Sequence, residues 1–424
     1  MRSKYGLWGL LATIVSSVLA LSGLAGASSA FAASCKNTVA IAGQGSSLQK
    51  IAQETWIAGS GCSVTYTPSG SGEGRKVWGA EETHTGALAG TKTTPAESKD
   101  AFVASDEPLS EPQMLHIDEA AEGTEQTLVI PVAQAAVAVI VNPPNGCTVT
   151  QITNAELQKI WASELMNWNE IANSGSGCSG LITRVTRKDV SGTSFVFKTY
   201  LGEINMTGAT CSTGPTWLTL AQTAHNLEWP ECKENPVIKP ASTGGGAEAE
   251  LVSSMLGTIG YANLGDARKA LALKEHNYHW LKVQNQHTST FEFPGEETKL
   301  TETSGEANCK GTDYTNKPAE TDALANDNWS EVNGAHPGNG TAVNTHYPIC
   351  TLTYDIALMN YEHAMLTSAE GEQAKEYLEY VTSETLGQEA LKGHDYRKVE
   401  EAVGVFALLE AKLVNKGGFG TQEP

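Results

Sequence analysis

Residues 128–141 read Leu-Val-Ile-Pro-Val-Ala-Gln-Ala-Ala-Val-Ala-Val-Ile-Val, a run too rich in β-branched residues for a helix. We read it as a long strand that crosses from one lobe of the protein to another. Its counterpart is 349–359, a second strand-like segment that returns the chain to the first lobe. Two crossings predict an α/β protein in which one lobe, 132–348, is inserted into another formed by 36–131 and 349–424.

The segments on either side fit that plan. A strand at 38–42 leads to a helix at 47–57, where Leu48, Ile51, Ala52, Thr55 and Trp56 recur at helical spacing. Strands at 64–67 and 102–105, with a helix through Val77 between them, repeat the unit. The inserted lobe should hold helices at 154–161, 193–201 and 247–256 and strands at 182–186 and 259–262. From 368 to 415 the chain reads as amphipathic helix, with Ala374, Tyr377, Leu378 and Val381 on one face. Residues 285–344, rich in Thr, Asn, Gly, Glu and Pro, predict a long surface excursion restrained by Cys309 and Cys350.

Arg2 and Lys4 precede an apolar run from Leu7 to about Ala25 and the pattern Ala30-Phe31-Ala32, which marks 1–32 as a secretory signal peptide. Its Gly and Ser content disfavours the alternative of a membrane anchor. Beyond it no run of about 18 apolar residues predicts a spanning helix. We expect the protein to work outside the cytoplasm, periplasmic, on the cell surface or secreted. All eight cysteines follow the leader, an even set suited to disulfides, and we take them to pair in sequence order. The stretch Ala32-Ala33-Ser34-Cys35 offers a competing fate, lipid attachment at Cys35, but lacks the Leu expected three residues before the cysteine. No CxxC spacing or His cluster is present, so neither a metal nor another cofactor is expected. A net charge of −20 excludes a nucleic-acid partner, which requires a basic face. It does not exclude a small anion, because backbone N–H groups and one cation can hold one locally.

Four loops follow strands and open helices, where an α/β sheet binds ligands. In Gly43-Gln44-Gly45-Ser46-Ser47-Leu48, glycines allow a tight turn while Ser47 and the following amides face an anion at the helix start. Leu48 and the missing Lys exclude the dinucleotide and P-loop fingerprints. Ser69-Gly70-Ser71-Gly72-Glu73-Gly74-Arg75 repeats the arrangement, with Ser71 as cap and hydroxyl donor. In the third, a strand ends on Asp106; a carboxylate facing an anion is tolerable when the anion brings a proton to share. The fourth, Arg187-Lys188-Asp189-Val190-Ser191-Gly192-Thr193, supplies a forked cation, a carboxylate to orient it, and hydroxyls and amides at a helix N-terminus. Read singly, each loop is equally an ordinary turn, helix cap or structural salt bridge.

Taken in order, GQGSSL, YTPSGSGEG, ASDEPLS and RKDVSGTSFVFKTYL resemble the phosphate-binding proteins of bacterial ABC importers. The likeness runs from Asn37 to about Ala402 and includes the Ser242–Gly246 turn leading to Gly257-Thr258-Ile259-Gly260-Tyr261. It implies the type II periplasmic-binding-protein fold with the ligand in the cleft between lobes. It also implies a phosphate set of Ser47, the Leu48 N–H, Ser71, Asp106, Arg187, Ser191, Gly192 and Thr193, with Asp189 orienting Arg187. Partners would be inorganic phosphate and the membrane permease subunits, and we expect a monomer that is not an enzyme. Ser47 stands where many relatives have Thr, and Glu73 puts an acid near the mouth. The long excursion and the cysteine set also differ from well-known relatives. Alternatives are another tetrahedral oxyanion such as arsenate or molybdate, a phosphatase, for which no serine has an evident base, and an adhesion or matrix protein reusing the fold.

Overall fold

A computed structural model describes residues 35–416 apart from 37, 81–92, 121–126, 205–209, 212–213, 223–224, 235, 242, 273–276, 296–304, 312–328, 330–344 and 363. The expected signal peptide and Ser242 lie outside the described residues. The chain opens with β1 (Ile41–Gly45), α1 (Lys50–Ser60), β2 (Val64–Thr67), α2 (Ser71–Val77), α3 (Pro95–Ser98), β3 (Phe102–Ser105) and α4 (Glu111–Ala120). β1 lies parallel between β2 and β3, and parallel neighbours need such helical crossovers. β1 begins three residues later than expected because its ladder starts where Ile41 meets Val64. Residues 46–49 then form a turn, with the Ser46 N–H donating to Ala104 O at 2.8 Å, which moves the start of α1 to Lys50.

The apolar run is β4 (Thr127–Asn142), buried at every position. Its first half, through Ala136, pairs antiparallel with β12 (Cys350–Leu358). From Val137 onward it pairs antiparallel with β8 (Thr258–Asn263). One strand therefore joins the two halves of a single sheet, ordered β2-β1-β3-β12-β4-β8-β6-β7 with β6 at Thr183–Thr186 and β7 at Val237–Pro240, and the protein is two-lobed. Being covered on both faces explains why the run shows no polar alternation.

The second lobe is built from β5 (Gln151–Ile152), which stands outside the main sheet, α5 (Asn154–Trp161), β6 (Thr183–Thr186), α6 (Gly192–Glu203), α7 (Trp217–Ala221), β7 (Val237–Pro240) and α8 (Gly245–Ser254) before β8. After it come α9 (Leu264–Ala272), β9 (His279–Trp280), β10 (Lys282–Gln284) and β11 (Phe291–Glu292). Trp161, Phe197, Trp229 and Tyr261 pack ring against ring at its centre. The C-terminal part adds α10 (Ser368–Thr382), α11 (Gly387–Ala390), β13 (Tyr396–Arg397) and α12 (Glu401–Leu413). A capping box of Thr367 and Glu370 starts α10, which buries Ala374, Tyr377, Leu378 and Val381.

The cysteines pair in sequence order: Cys35–Cys62, Cys147–Cys178, Cys211–Cys232 and Cys309–Cys350. Such a set suits an oxidising, extracytoplasmic compartment. The bond to Cys62 occupies the Cys35 sulfur and leaves none for a lipid. Most of the expected excursion lies outside the described residues. Within its described part residues 286–290 are exposed, while Trp329 is fully buried against Tyr354 and Phe406. Among the described residues no helix is long and apolar enough to cross a membrane.

Candidate anion-binding site

The loop after β1 depends on Gly45, at φ +136°, where a Cβ would sit 2.1 Å from Ala104 O. That close approach carries Ser46 and Ser47 past the end of β3. Ser46 Oγ donates to Asp106 Oδ1 at 2.5 Å. Ser47 Oγ accepts from Arg187 Nη2 at 3.3 Å and from the Gly245 N–H at 3.4 Å. The Leu48 side chain is buried, and its carbonyl accepts from the Tyr396 hydroxyl.

Ser71 is the first helical residue of α2 and not its cap. Gly70, at φ +105°, holds the N-cap position without a side-chain bond. Ser71 Oγ turns instead to Asp106, accepting its N–H at 3.1 Å and approaching Oδ2 at 3.2 Å. Glu73 is exposed and 3.6 Å from Lys76 on the outer face of the same helix. Asp106 is 1 % exposed, and Thr353 Oγ1 of β12 donates to its Oδ1 at 2.7 Å. Burial raises the Asp106 carboxyl above its usual range, against the pull of the Ser46, Thr353 and Ser71 hydroxyls and the Arg187 charge.

Arg187 follows β6 and is 3 % exposed. Its Nε donates to Asp189 Oδ1 at 2.8 Å, and its Nη2 donates to Asp189 Oδ2. Burial works against the charge, and Asp189 more than offsets it, so the guanidinium stays cationic. Its Nη1 is buried, with no hydrogen-bond partner among the described residues. Ser191 caps α6, its Oγ accepting the Ser194 N–H at 3.2 Å, while Asn226 holds its N–H at 3.2 Å and its carbonyl at 2.9 Å. Gly192 and Thr193 begin that helix, where N–H groups have no intrahelical acceptor.

These loops meet. A Cβ on Gly192 would lie 2.5 Å from Ser71 Oγ and 2.8 Å from Asp106 Oδ2, so only glycine fits between the two lobes there. Ser47, Arg187 and the start of α8 form a second contact, completed by the Gly244 N–H donating to Asp189 Oδ1 at 3.3 Å. All eight candidate positions are buried, and Ser47, Ser71, Asp106, Arg187 and Gly192 lie at these two contacts. Sequence reasoning missed Ser46, Gln49, Thr353, Asn226 and Gly245. Among the described residues no cluster of three or more His, Cys, Asp or Glu side chains is placed to hold a metal.

Such a fold, with helix starts from two lobes facing each other across a shared strand, defines a two-lobed α/β binding protein. The chain belongs to the PBP superfamily, whose domain model matches residues 32–385. Among solved structures it is similar to PfluDING, a high-affinity periplasmic phosphate-binding protein solved with phosphate, at 19 % identity and TM-score 0.62, covering 86 % of this chain and 92 % of that one. It is also similar to a phosphate-binding protein from Stenotrophomonas maltophilia, at 18 % identity and TM-score 0.60, covering 88 % and 94 %. An ancestral soluble variant of the human phosphate-binding protein matches at 16 % identity and TM-score 0.63, covering 89 % and 98 %. At these identities the likeness is one of fold. No curated protein matches the chain in sequence.

Proposed function

We propose that the protein captures inorganic phosphate outside the cytoplasm, between a lobe of residues 36–131 and 349–424 and a lobe of residues 132–348, and delivers it to a membrane ABC permease. The ligand set would be Ser47, the Leu48 N–H, Ser71, Asp106, Arg187, Ser191, Gly192 and Thr193. The observation that carries this is Arg187 Nη1, a buried guanidinium nitrogen with no partner among the described residues, on a side chain whose Nη2 meets the Ser47 hydroxyl. A buried donor of this kind costs free energy until an acceptor meets it, and an oxyanion is the acceptor its fork fits.

Asp106 narrows the choice. Asp189 already balances Arg187, so an anion facing Asp106 must bring a proton. Phosphate does near neutral pH, and sulfate does not. We read a binding protein and not an enzyme, because Ser47, Ser71 and Ser191 bond an arginine, a carboxylate and backbone amides, with no imidazole among their partners in the described residues. Equilibrium dialysis of the full chain, unfolded and refolded with its disulfides intact to strip bound ligand, tests the function. One phosphate retained per chain is expected, and none retained would overturn it.

A further inference from the structure

Asp106 Oδ1 and Oδ2 have different surroundings. Oδ2 faces Ser71 and Gly192, on the side where the lobes meet. Oδ1 points inward and takes two hydroxyls, from Ser46 at 2.5 Å and Thr353 at 2.7 Å. A hydroxyl can donate or accept, so distance alone does not say where its proton lies.

Gln49 decides it. Its Nε2 donates to Thr353 Oγ1 at 2.7 Å and to Tyr354 O at 2.9 Å. The Tyr354 carbonyl can only accept, so the amide cannot be flipped. Gln53 Nε2 donates to Gln49 Oε1 at 2.8 Å and to the Asp355 carboxylate at 3.1 Å and 3.2 Å, while Gln53 Oε1 accepts from the Tyr377 hydroxyl at 2.6 Å. With Gln49 donating into its oxygen, Thr353 sends its one proton to Asp106, since its other acceptor, Ser105 O, is farther at 3.4 Å. The Gln49 backbone N–H likewise enters Ser46 Oγ at 3.3 Å, and that hydroxyl also points at Oδ1. Ser46, Gln49, Gln53 and Thr353 are all 0 % exposed, so no water competes for these bonds.

We propose that Gln49, Ser46 and Thr353 are positioning residues for anion selectivity: they fill Asp106 Oδ1 with donated protons and leave Oδ2 as the one oxygen that can take a proton from the ligand. A proton on Oδ1 would meet two others. Asp106 is thereby kept an acceptor toward the cleft in spite of its burial, and this turns a carboxylate into a filter against fully deprotonated anions. The inference rests on the phosphate function proposed above.

Thr353→Val removes one donor while nearly keeping the shape, and Thr353→Ser restores it. Phosphate and sulfate affinities of the refolded full chain would be measured by calorimetry at mildly alkaline pH. For Thr353→Val the phosphate-to-sulfate affinity ratio should fall about tenfold, the size of one lost bond to a charged group, and Thr353→Ser should keep the unsubstituted ratio. A structural defect would weaken both anions together and leave the ratio in place. Should Thr353→Val not fold, Ser46→Ala removes the other donor and is read the same way. An unchanged ratio in the folded variant, with the unsubstituted protein discriminating normally, overturns this inference alone. No phosphate binding by the unsubstituted protein overturns it together with the function.

Discussion

The Asp106 pocket and the Arg187 loop are both buried charges at lobe contacts, yet they are satisfied in opposite ways. Asp106 takes bonds from three hydroxyls and has its charge held in check on one side only. Arg187 is fixed by Asp189 through two nitrogens and keeps a third with no partner among the described residues. A crowded acceptor and an under-used donor, brought together, suit a ligand that accepts at one end and donates at the other. Hydrogen phosphate is such a ligand.

Arg187→Ala should break this contrast most severely. It removes the fork and leaves half-buried Asp189 without its counter-charge, so phosphate affinity should fall by at least about a hundredfold, roughly 3 kcal/mol, in dialysis. An affinity within about threefold of the unsubstituted protein would show that the cation is structural. Asp106→Asn should next lower the phosphate-to-sulfate ratio by about thirtyfold, because the amide can donate to sulfate and cannot take the phosphate proton. Competition calorimetry reads that ratio.

Gly192→Ala touches the join between the two regions. Its Cβ would press on Ser71 Oγ at 2.5 Å, so both anions should weaken together, by about tenfold, with the ratio unchanged. A changed ratio would place Gly192 in the filter itself.

The smallest effect lies at the inner end of the Asp106 network. Burial pushes the Asp355 carboxyl up to about 7, against the Gln53 and Gln49 amides. In the unfolded chain it ionises near about pH 4, so its contribution to stability is intact below that pH and is lost as pH rises to about 7. Asp355→Asn has no proton to lose. Its melting temperature should gain on the unsubstituted protein by a few degrees across that window and stay level above it. A difference constant with pH would show that Asp355 does not titrate there.

How much of this was legible in the sequence depended on range. Strands at 64–67 and 102–105 and the helix at 154–161 came from local pattern, and the structure keeps them. The start of β1 was misjudged because its ladder is set by the partner residue Val64, and local propensity carries no such information. Ser71 looks like a cap in sequence, but Gly70 takes that place and frees the hydroxyl for Asp106. Thr353 reaches Asp106 only because β12 lies beside β3, pairing Tyr354 with Ser105. A hint was present even so. Gln49 and Gln53 recur one helical turn apart beside an apolar face, and Thr351, Thr353 and Asp355 alternate along a strand that is buried throughout. Polar residues repeating on an inward face need partners, and here they partner each other.

A crystal structure of the refolded protein grown with phosphate would test the central claim most directly. One phosphate should lie between the lobes, with Arg187 Nη1 and Asp106 Oδ2 both at hydrogen-bond distance from it, about 2.5–2.9 Å. Phosphate bound away from Arg187, or held with Asp106 turned from it, would contradict the account.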